Sequence, residues 1–215
     1  MTDKLKSTSS TIFKVNLWWT IIFIVLKFLE IPLSNSVFIF FYVPVIILGY
    51  LGLVILFIFS SIYWIRQRKK AIQPFVPFAF SILAIAFMVF FPFTKIALGI
   101  DFRLKYSDRE KVVRMITNRN IKYDLKQSSL VEIPSEYKSL SAGSSNVKVE
   151  VVDNKICVLF YTFRGLTDNS AGFVYVPDEK IMSRFKVGKF GASNIFYDPI
   201  EITKIAEHWY FVSNT

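Results

Sequence analysis

Residues 31–65 decide the fold, because they read IPLSNSVFIFFYVPVIILGYLGLVILFIFSSIYWI and contain no charged side chain. About 20 apolar helical residues cross the hydrocarbon core of a bilayer, so a run of this length exceeds one crossing. Pro32 disfavours helical geometry at the residue before it, and Ser, Asn and Ser at 34–36 supply turn and N-cap chemistry. We therefore predict a loop at this point and a membrane span over 37–64.

Two further apolar segments flank this run, at about 15–33 and 74–98. The first reaches roughly 28 Å as a helix, which is close to the hydrocarbon thickness. Its end carries Lys27 and Glu30, so it either crosses the membrane or lies along the interface. As a signal peptide it is long and lacks a good cleavage site, which favours an uncleaved anchor. Pro92 can bend or stop the third segment near its far end.

The end of the second span has the composition of a cytoplasmic boundary, with aromatic rings followed at once by cations. The positive-inside rule places the amino terminus in the cytoplasm and the carboxy-terminal domain outside the plasma membrane, because the 65–72 loop holds four cations and no acid. The boundary residues are Tyr63, Trp64, Arg66, Arg68, Lys69 and Lys70.

Charge is divided unevenly along the chain. Residues 1–100 hold nine basic and two acidic side chains, net +7, and residues 101–215 hold 17 basic and 14 acidic ones, net +3. The basic excess therefore lies beside the apolar segments, where it fits orientation in a membrane with anionic lipid rather than nucleic-acid binding. The lipid bilayer is thus the first expected partner, and nucleic acid is not one.

Residues 101–215 are predicted to form a small soluble α+β domain with a mainly antiparallel sheet and one principal helix. Ser107 to Glu110 resembles a capping box that begins this helix. Strands are predicted at 130–133, 147–151, 156–163, 172–176, 199–205 and 209–213, from alternation or continuous apolar runs between turn residues. The third strand lacks polar alternation and is expected to be buried on both faces.

Catalytic and metal-binding constellations are sparse in the sequence. His208 is the single histidine and Cys157 the single cysteine, so sites with two histidines and zinc sites of the Cys/His type cannot be assembled. No phosphate-binding glycine loop or nucleophile elbow is present. We expect Cys157 to be a buried core residue, His208 to lie in a turn, and no cofactor, catalytic or metal-ligating residue to be needed.

Two loops are candidates for contact with a ligand, a protein partner or anionic headgroups. One is the polar loop 165–172. The other is the basic segment from 180 to 197, whose aromatic residues either fold back on the sheet or form a contact site. The candidate contact residues are Asp168, Asn169, Lys180, Arg184, Lys186, Lys189 and Phe190.

Two hypotheses of function follow. The first is a non-enzymatic multi-pass membrane protein whose membrane-proximal outer domain binds a protein or ligand, as an immunity, exclusion, accessory or sensing factor does. The second is a membrane-embedded enzyme or transporter subunit that uses Lys27, Glu30 and Lys95, because ionisable groups inside a membrane are functional candidates. Against the second, Lys27 and Glu30 lie near the end of their span and can pair with each other or reach the headgroups.

Overall fold

The computed structural model describes residues 2–30, 39–69, 72–121, 129–143, 145–164, 169–183, 195 and 197–214. The chain divides into two compact units, Met1–Ala97 and Leu98–Thr215. The first unit is built from helices, and the second contains all the described strands.

The long helices are α1, α2, α3 and α4, of which only the first turn of α4 belongs to the first unit. Residues 6–28 and 42–67 are each long and apolar enough to cross a membrane, and the first lies near the amino terminus. Within the described residues, length and composition therefore give two candidate crossings, or three if α3 and α4 form one broken span. The helices are α1 Thr2–Phe28, α2 Ile39–Gln67, α3 Phe75–Phe90 and α4 Phe93–Thr117.

The limits of the first two helices differ from the predicted spans. Helix α1 begins at Thr2 rather than near residue 15. The polar residues before the apolar segment are therefore helical too, and among them Thr11 Oγ1 donates to the Ser7 carbonyl 3.1 Å away. It ends at Phe28, short of the predicted limit of 33. Helix α2 continues through Pro44 to Gln67. The predicted loop at 31–36 lies outside the described residues.

The residues of the predicted span 74–98 form two helices that meet at a bend. Helix α3 ends at Phe90, Phe91 is extended with ψ 128°, and α4 starts at Phe93 after a bend of 55°. The physical cause is Pro92, which pushes the residue before it out of the helical region and cannot donate a backbone hydrogen bond. The sequence had identified this proline as a bend or stop.

Helix α4 also corrects the predicted capping box. It runs without interruption from Phe93 to Thr117, so Ser107 lies inside the helix and caps nothing. The amides of the predicted cap are satisfied by the preceding turn, and Glu110 instead accepts from Trp209 Nε1 at 2.7 Å. The predicted end of the helix is confirmed, since Arg119 has a φ of 59° directly after the last turn.

The six strands form a single antiparallel sheet in the order β1-β2-β3-β4-β6-β5. All six predicted strand segments are confirmed within one or two residues. The tight turn between β2 and β3 has Asp153 at φ 52° and Asn154 at φ 62°, as a two-residue type I′ turn requires. The strands are β1 Ser129–Glu132, β2 Asn146–Val152, β3 Lys155–Arg164, β4 Ser170–Tyr175, β5 Pro199–Ala206 and β6 Trp209–Asn214.

Both faces of the sheet are buried, as the continuous apolar run of β3 predicted. On one face Val158 and Phe160 pack with the helical stripe of Val112, Val113 and Ile116. On the other face the core is continued by residues that follow β4 or precede β5. This second face comprises Ala142, Cys157, Leu159, Tyr161, Val174, Val176, Ile181, Met182, Ile195, Tyr210 and Val212.

A short helix, α5 Glu179–Met182, covers part of the second face. Asp178 caps it by accepting from the Lys180 amide at 2.9 Å, which directs Ile181 and Met182 into the core. Asp178 also pairs with Lys155 on β3 at 2.5 Å. The described part of this unit contains one further helical segment in addition to α4 and α5, a 3₁₀ helix at Ser135–Leu140.

Candidate functional site

A buried cluster of neutral polar side chains joins helices α1, α2 and α3 of the first unit. Asn16 on α1, Ser60 on α2 and Ser81 on α3 are at most 2% exposed. Asn16 Nδ2 lies 3.1 Å from Ser60 Oγ, while Ser81 Oγ lies 3.2 Å from both Asn16 Oδ1 and Ser60 Oγ. We call these residues the polar triad.

The polar triad satisfies itself. A serine hydroxyl carries one proton, so each serine donates only once. Asn16 Nδ2 donates to Ser60 Oγ and to the Ile12 carbonyl, both at 3.1 Å. The single proton of Ser81 goes either to a neighbour in the triad or to the Pro77 carbonyl, which is closer at 2.8 Å. Every proton of the triad thus has an acceptor within the cluster or in the preceding helical turn, so its chemistry is that of helix association.

Two glycines of α2 allow α1 to approach closely. A Cβ atom at Gly49 would lie 2.3 Å from the Phe23 ring, and one at Gly52 would lie 2.2 Å from the Trp19 ring. Trp19 Nε1 also donates to the Gly49 carbonyl at 3.2 Å. Small residues at helix interfaces permit such contacts in membranes, where burial of apolar area gives no advantage over lipid. Neither the triad nor these glycines was identified from the sequence, although a lone asparagine in an apolar span is a usable signal.

Lys27 and Glu30, the ionisable residues proposed for the membrane region, pair with each other. Their Nζ and Oε2 atoms are 2.8 Å apart, and Thr94 Oγ1 lies 3.4 Å from the same carboxylate oxygen. Lys95 is also engaged in an interaction rather than free. The pair thus neutralises its own charge in a region where an isolated charge is costly.

The aromatic residues predicted at the end of the second span have distinct environments. The Trp64 ring stacks on Phe78 of α3, with centroids 4.6 Å apart, and also contacts Phe75. Tyr63 instead lines a groove beside α1 together with Arg66. Arg68 and Lys69 are exposed. Lys70 lies outside the described residues.

One charged side chain of the second unit is almost fully buried. Arg109 is 1% exposed, pairs with Asp101 Oδ2 at 2.5 Å, and lies over the Phe173 ring at 4.5 Å. Arg109 lies within the predicted capping box, Ser107 to Glu110, and its burial was not predicted from the sequence. Its partner lies two helical turns earlier on the same helix, which gives Arg109 a structural role between α4 and the sheet.

A second buried contact fixes the chain before β5. Ile195 is fully buried, its amide donates to Glu150 Oε2 at 2.9 Å, and its carbonyl accepts from Asn214 Nδ2 at 3.0 Å. We call these contacts the Ile195 anchor. Immediately after it Tyr197 is 52% exposed and Ile200 is 54% exposed. The sequence left open whether this segment folds back on the sheet or forms a contact site. Of its described residues, Ile195 packs into the core and Tyr197 is exposed.

The predicted contact residues are only partly described. Asn169 and Lys180 are exposed, and Lys180 follows Glu179, which pairs with Lys204 of β5. The structure therefore places Lys180 on the helix α5 that is tied to β5. The remaining candidates lie outside the described residues, namely Asp168, Arg184, Lys186, Lys189 and Phe190.

The single cysteine and single histidine occupy the predicted environments. Cys157 is fully buried, and burial first, then the negative charges of Glu150 and Asp153, raises the pKa of its thiol to about 12. His208 lies in the β5–β6 turn with a φ of 63°. Among the described residues no group of three His, Cys, Asp or Glu side chains is placed to hold a metal ion.

Comparison with family models, curated proteins and solved structures finds no match for the chain.

Proposed function

We propose that the chain is a non-enzymatic multi-pass plasma-membrane protein whose outer domain, residues 101–215, binds a protein or ligand. Such a role is that of an immunity, exclusion, accessory or sensing factor. The observation that supports it is the Ile195 anchor. A segment fixed at one buried point beside the sheet, with exposed aromatic and aliphatic side chains after it, resembles the binding loops that rigid scaffolds present.

The buried polar groups support binding rather than catalysis. In the first unit the polar triad and the Lys27–Glu30 pair are internally satisfied. In the second, Arg109 faces Asp101 and Glu150 faces the Ile195 amide. A catalytic group must be able to reach a substrate, whereas these groups are used to hold the fold.

The proposed architecture has three crossings and one principal helix over the sheet. Helix α3 has 16 residues and reaches only about 24 Å, less than the ~30 Å of hydrocarbon, so the start of α4 completes the third crossing. Loop charge then puts the amino terminus and the 65–72 loop in the cytoplasm. Reporter fusions at residues 70 and 215 test this, and a cytoplasmic reporter at 215 would refute it.

Site-specific photocrosslinking in the intact cell tests the binding role. A photoreactive residue at Tyr197 or Ile200 is expected to give one discrete adduct. The matched control is Leu130, which is 48% exposed on β1, the opposite edge strand of the sheet. Equal adducts at all three positions, or none, would contradict the proposal, and so would a phenotype that survives deletion of residues 101–215.

The rival function, a membrane-embedded enzyme or transporter subunit, depends on Lys27, Glu30 and Lys95. Replacing Lys27 and Glu30 together by methionine and glutamine, with Lys95→Met, removes every charge it needs. Under the proposal, phenotype and protein level remain close to wild type, because the pair neutralises itself. Loss of the phenotype at an unchanged protein level would favour the rival.

A further inference from the structure

A groove of about 630 Å³ lies between α1 and α2 on the surface of the first unit. Its α2 side follows one helical face from Leu56 to Gln67, and these positions are separated by about 16 Å along the axis. That length matches one leaflet, half of the ~30 Å hydrocarbon thickness. The lining residues are Thr11, Ile12, Val15, Leu56, Phe59, Ile62, Tyr63, Arg66 and Gln67.

The groove is apolar at one end and polar at the other. Leu56, Phe59 and Val15 form the apolar end. At the polar end Arg66 is exposed and forms no ion pair within the described part of the chain. Gln67 Oε1 is buried there without a hydrogen-bond partner among the described residues. An unpaired cation and an unsatisfied acceptor therefore meet at the end where the headgroups of that leaflet would lie.

We propose that this groove binds one anionic phospholipid. The lipid phosphate contacts the exposed Arg66, and an acyl chain lies along Val15, Leu56 and Phe59. Basic pockets between transmembrane helices bind anionic headgroups in this way. The phosphate of an anionic lipid carries a negative charge that no headgroup cation offsets, which fits the unpaired Arg66.

The dimensions favour a lipid over a helix of another protein. A helix about 10 Å wide occupies roughly 1,250 Å³ over ~16 Å, twice the volume of the groove. A partner helix would also follow the whole bilayer, whereas the groove lining ends at Leu56, although α2 continues back to Ile39. The lipid site is independent of the outer domain, so its failure leaves the proposed binding function untouched.

The test measures lipid binding to the full chain in detergent by native mass spectrometry. The probes are phosphatidylglycerol and phosphatidylcholine with the same acyl chains, and inorganic phosphate with glycerol. We expect one phosphatidylglycerol to bind in preference to phosphatidylcholine, and no retention of phosphate. Arg66→Gln should weaken binding at least about thirtyfold, because it removes a charge-assisted contact as well as a surface charge. The matched control Arg68→Gln removes only surface charge and should weaken it about fivefold at most.

A second pair of variants tests the acyl-chain part of the groove without changing charge. Val15→Trp fills the groove and should abolish specific binding. Val25→Trp, at an equally exposed position of α1 outside the groove lining, should not. Equal effects of Arg66→Gln and Arg68→Gln, equal affinity for both lipids, or full binding to Val15→Trp would each overturn the proposal. A polypeptide crosslinked to position 15 in place of lipid would also overturn it.

Discussion

The two units bury polar side chains of different kinds. The first buries the neutral triad Asn16, Ser60 and Ser81, and each member comes from a different helix. The second buries a charge, Arg109, against Asp101 and the Phe173 ring. Outside these groups the first unit exposes many large apolar residues, whereas the second packs them on both faces of a sheet.

The difference is the one expected if lipid surrounds the first unit and water surrounds the second, as proposed. In lipid, apolar contact between helices has no advantage over contact with acyl chains, so hydrogen bonds and close packing at small residues specify the arrangement. In water, burial of apolar area drives folding and specifies the sheet, and a buried charge is tolerated only with a partner. Polar residues therefore specify how the helices of the first unit pack. In the second unit apolar residues specify the fold, and each buried charge needs a partner within it.

The largest expected effect is on the buried charge. Asp101→Asn leaves Arg109 without its counter-charge, and we expect the free energy of unfolding of the second unit to fall by about 2–4 kcal/mol. The natural probe is Cys157, the only cysteine, whose buried thiol reacts with an alkylating reagent only when the sheet opens. Its labelling is followed in increasing urea on the full chain in detergent.

Asp108→Asn is the matched control for this experiment. Asp108 pairs with Lys111 at 2.8 Å on the exposed surface of the same helix, and its removal should change stability by less than about 0.5 kcal/mol. Equal effects of the two variants would show that burial does not distinguish the ion pairs. The double variant Asp101→Asn with Arg109→Met should recover part of the loss, because no unpaired charge remains.

The second prediction concerns close packing in the first unit. Gly52→Ala places a methyl group against the Trp19 ring, so α1 and α2 must separate, and we expect a loss of about 1–3 kcal/mol. Gly99→Ala is the control, because among the described residues no atom beyond its own stretch of helix lies within 4 Å of the new Cβ, and alanine favours the helix. The midpoint temperature of thermal unfolding in detergent should fall for Gly52→Ala and rise slightly for Gly99→Ala. A rise for both would mean that α1 does not contact α2 at Gly52.

The third prediction separates two adjacent serines. Ser60 belongs to the polar triad, whereas Ser61 Oγ donates to the Phe57 carbonyl of its own helix at 2.7 Å. Ser60→Ala should lower the stability of the helical unit by about 0.6–1.5 kcal/mol, the range of interhelical hydrogen bonds in membranes. Ser61→Ala should leave it nearly unchanged. The measurement is unfolding in increasing dodecyl sulfate. A larger loss of stability for Ser61→Ala than for Ser60→Ala would show that Ser60 does not form the interhelical hydrogen bond.

The smallest effect is expected for the exposed pair of Glu179 and Lys204. The hydrogen bond and charge of Lys204 lower the pKa of Glu179, and those of Glu179 raise the pKa of Lys204. The pair therefore stabilises the fold above the ordinary carboxyl pKa near 4 and loses this effect as pH falls further. It loses the effect again as pH rises through the raised pKa of the lysine, above its ordinary value near 10.4.

The difference in thermal midpoint between wild type and the variant Glu179→Gln with Lys204→Gln measures this effect. It should be greatest between about pH 5 and pH 9 and shrink at both extremes. A constant difference across the whole range would show that the pair acts by packing rather than by charge.

Periodicity along the chain was enough for most elements. The charge-free run 31–65 predicted α2, and the change to a period of two predicted the strands and the turn at Asp153 and Asn154. These features are local, because the alternation of apolar residues and the turn chemistry are set by neighbours a few positions away. The bend at Pro92 was local as well, because the sequence identified this proline as able to bend or stop the third segment.

The sequence by itself thus determined which segments are apolar helices, which are strands, and that the third strand is buried on both faces. Only the tertiary structure decided the partners, such as Ser60 rather than Ser61 for Asn16, and Trp209 for Glu110. These contacts join residues 44 and 99 positions apart, and no local pattern selects one hydroxyl or carboxylate over its neighbour across such distances. The Ile195 anchor was likewise decided by tertiary contacts. Its buried amide and carbonyl are satisfied by side chains from two strands, Glu150 of β2 and Asn214 of β6.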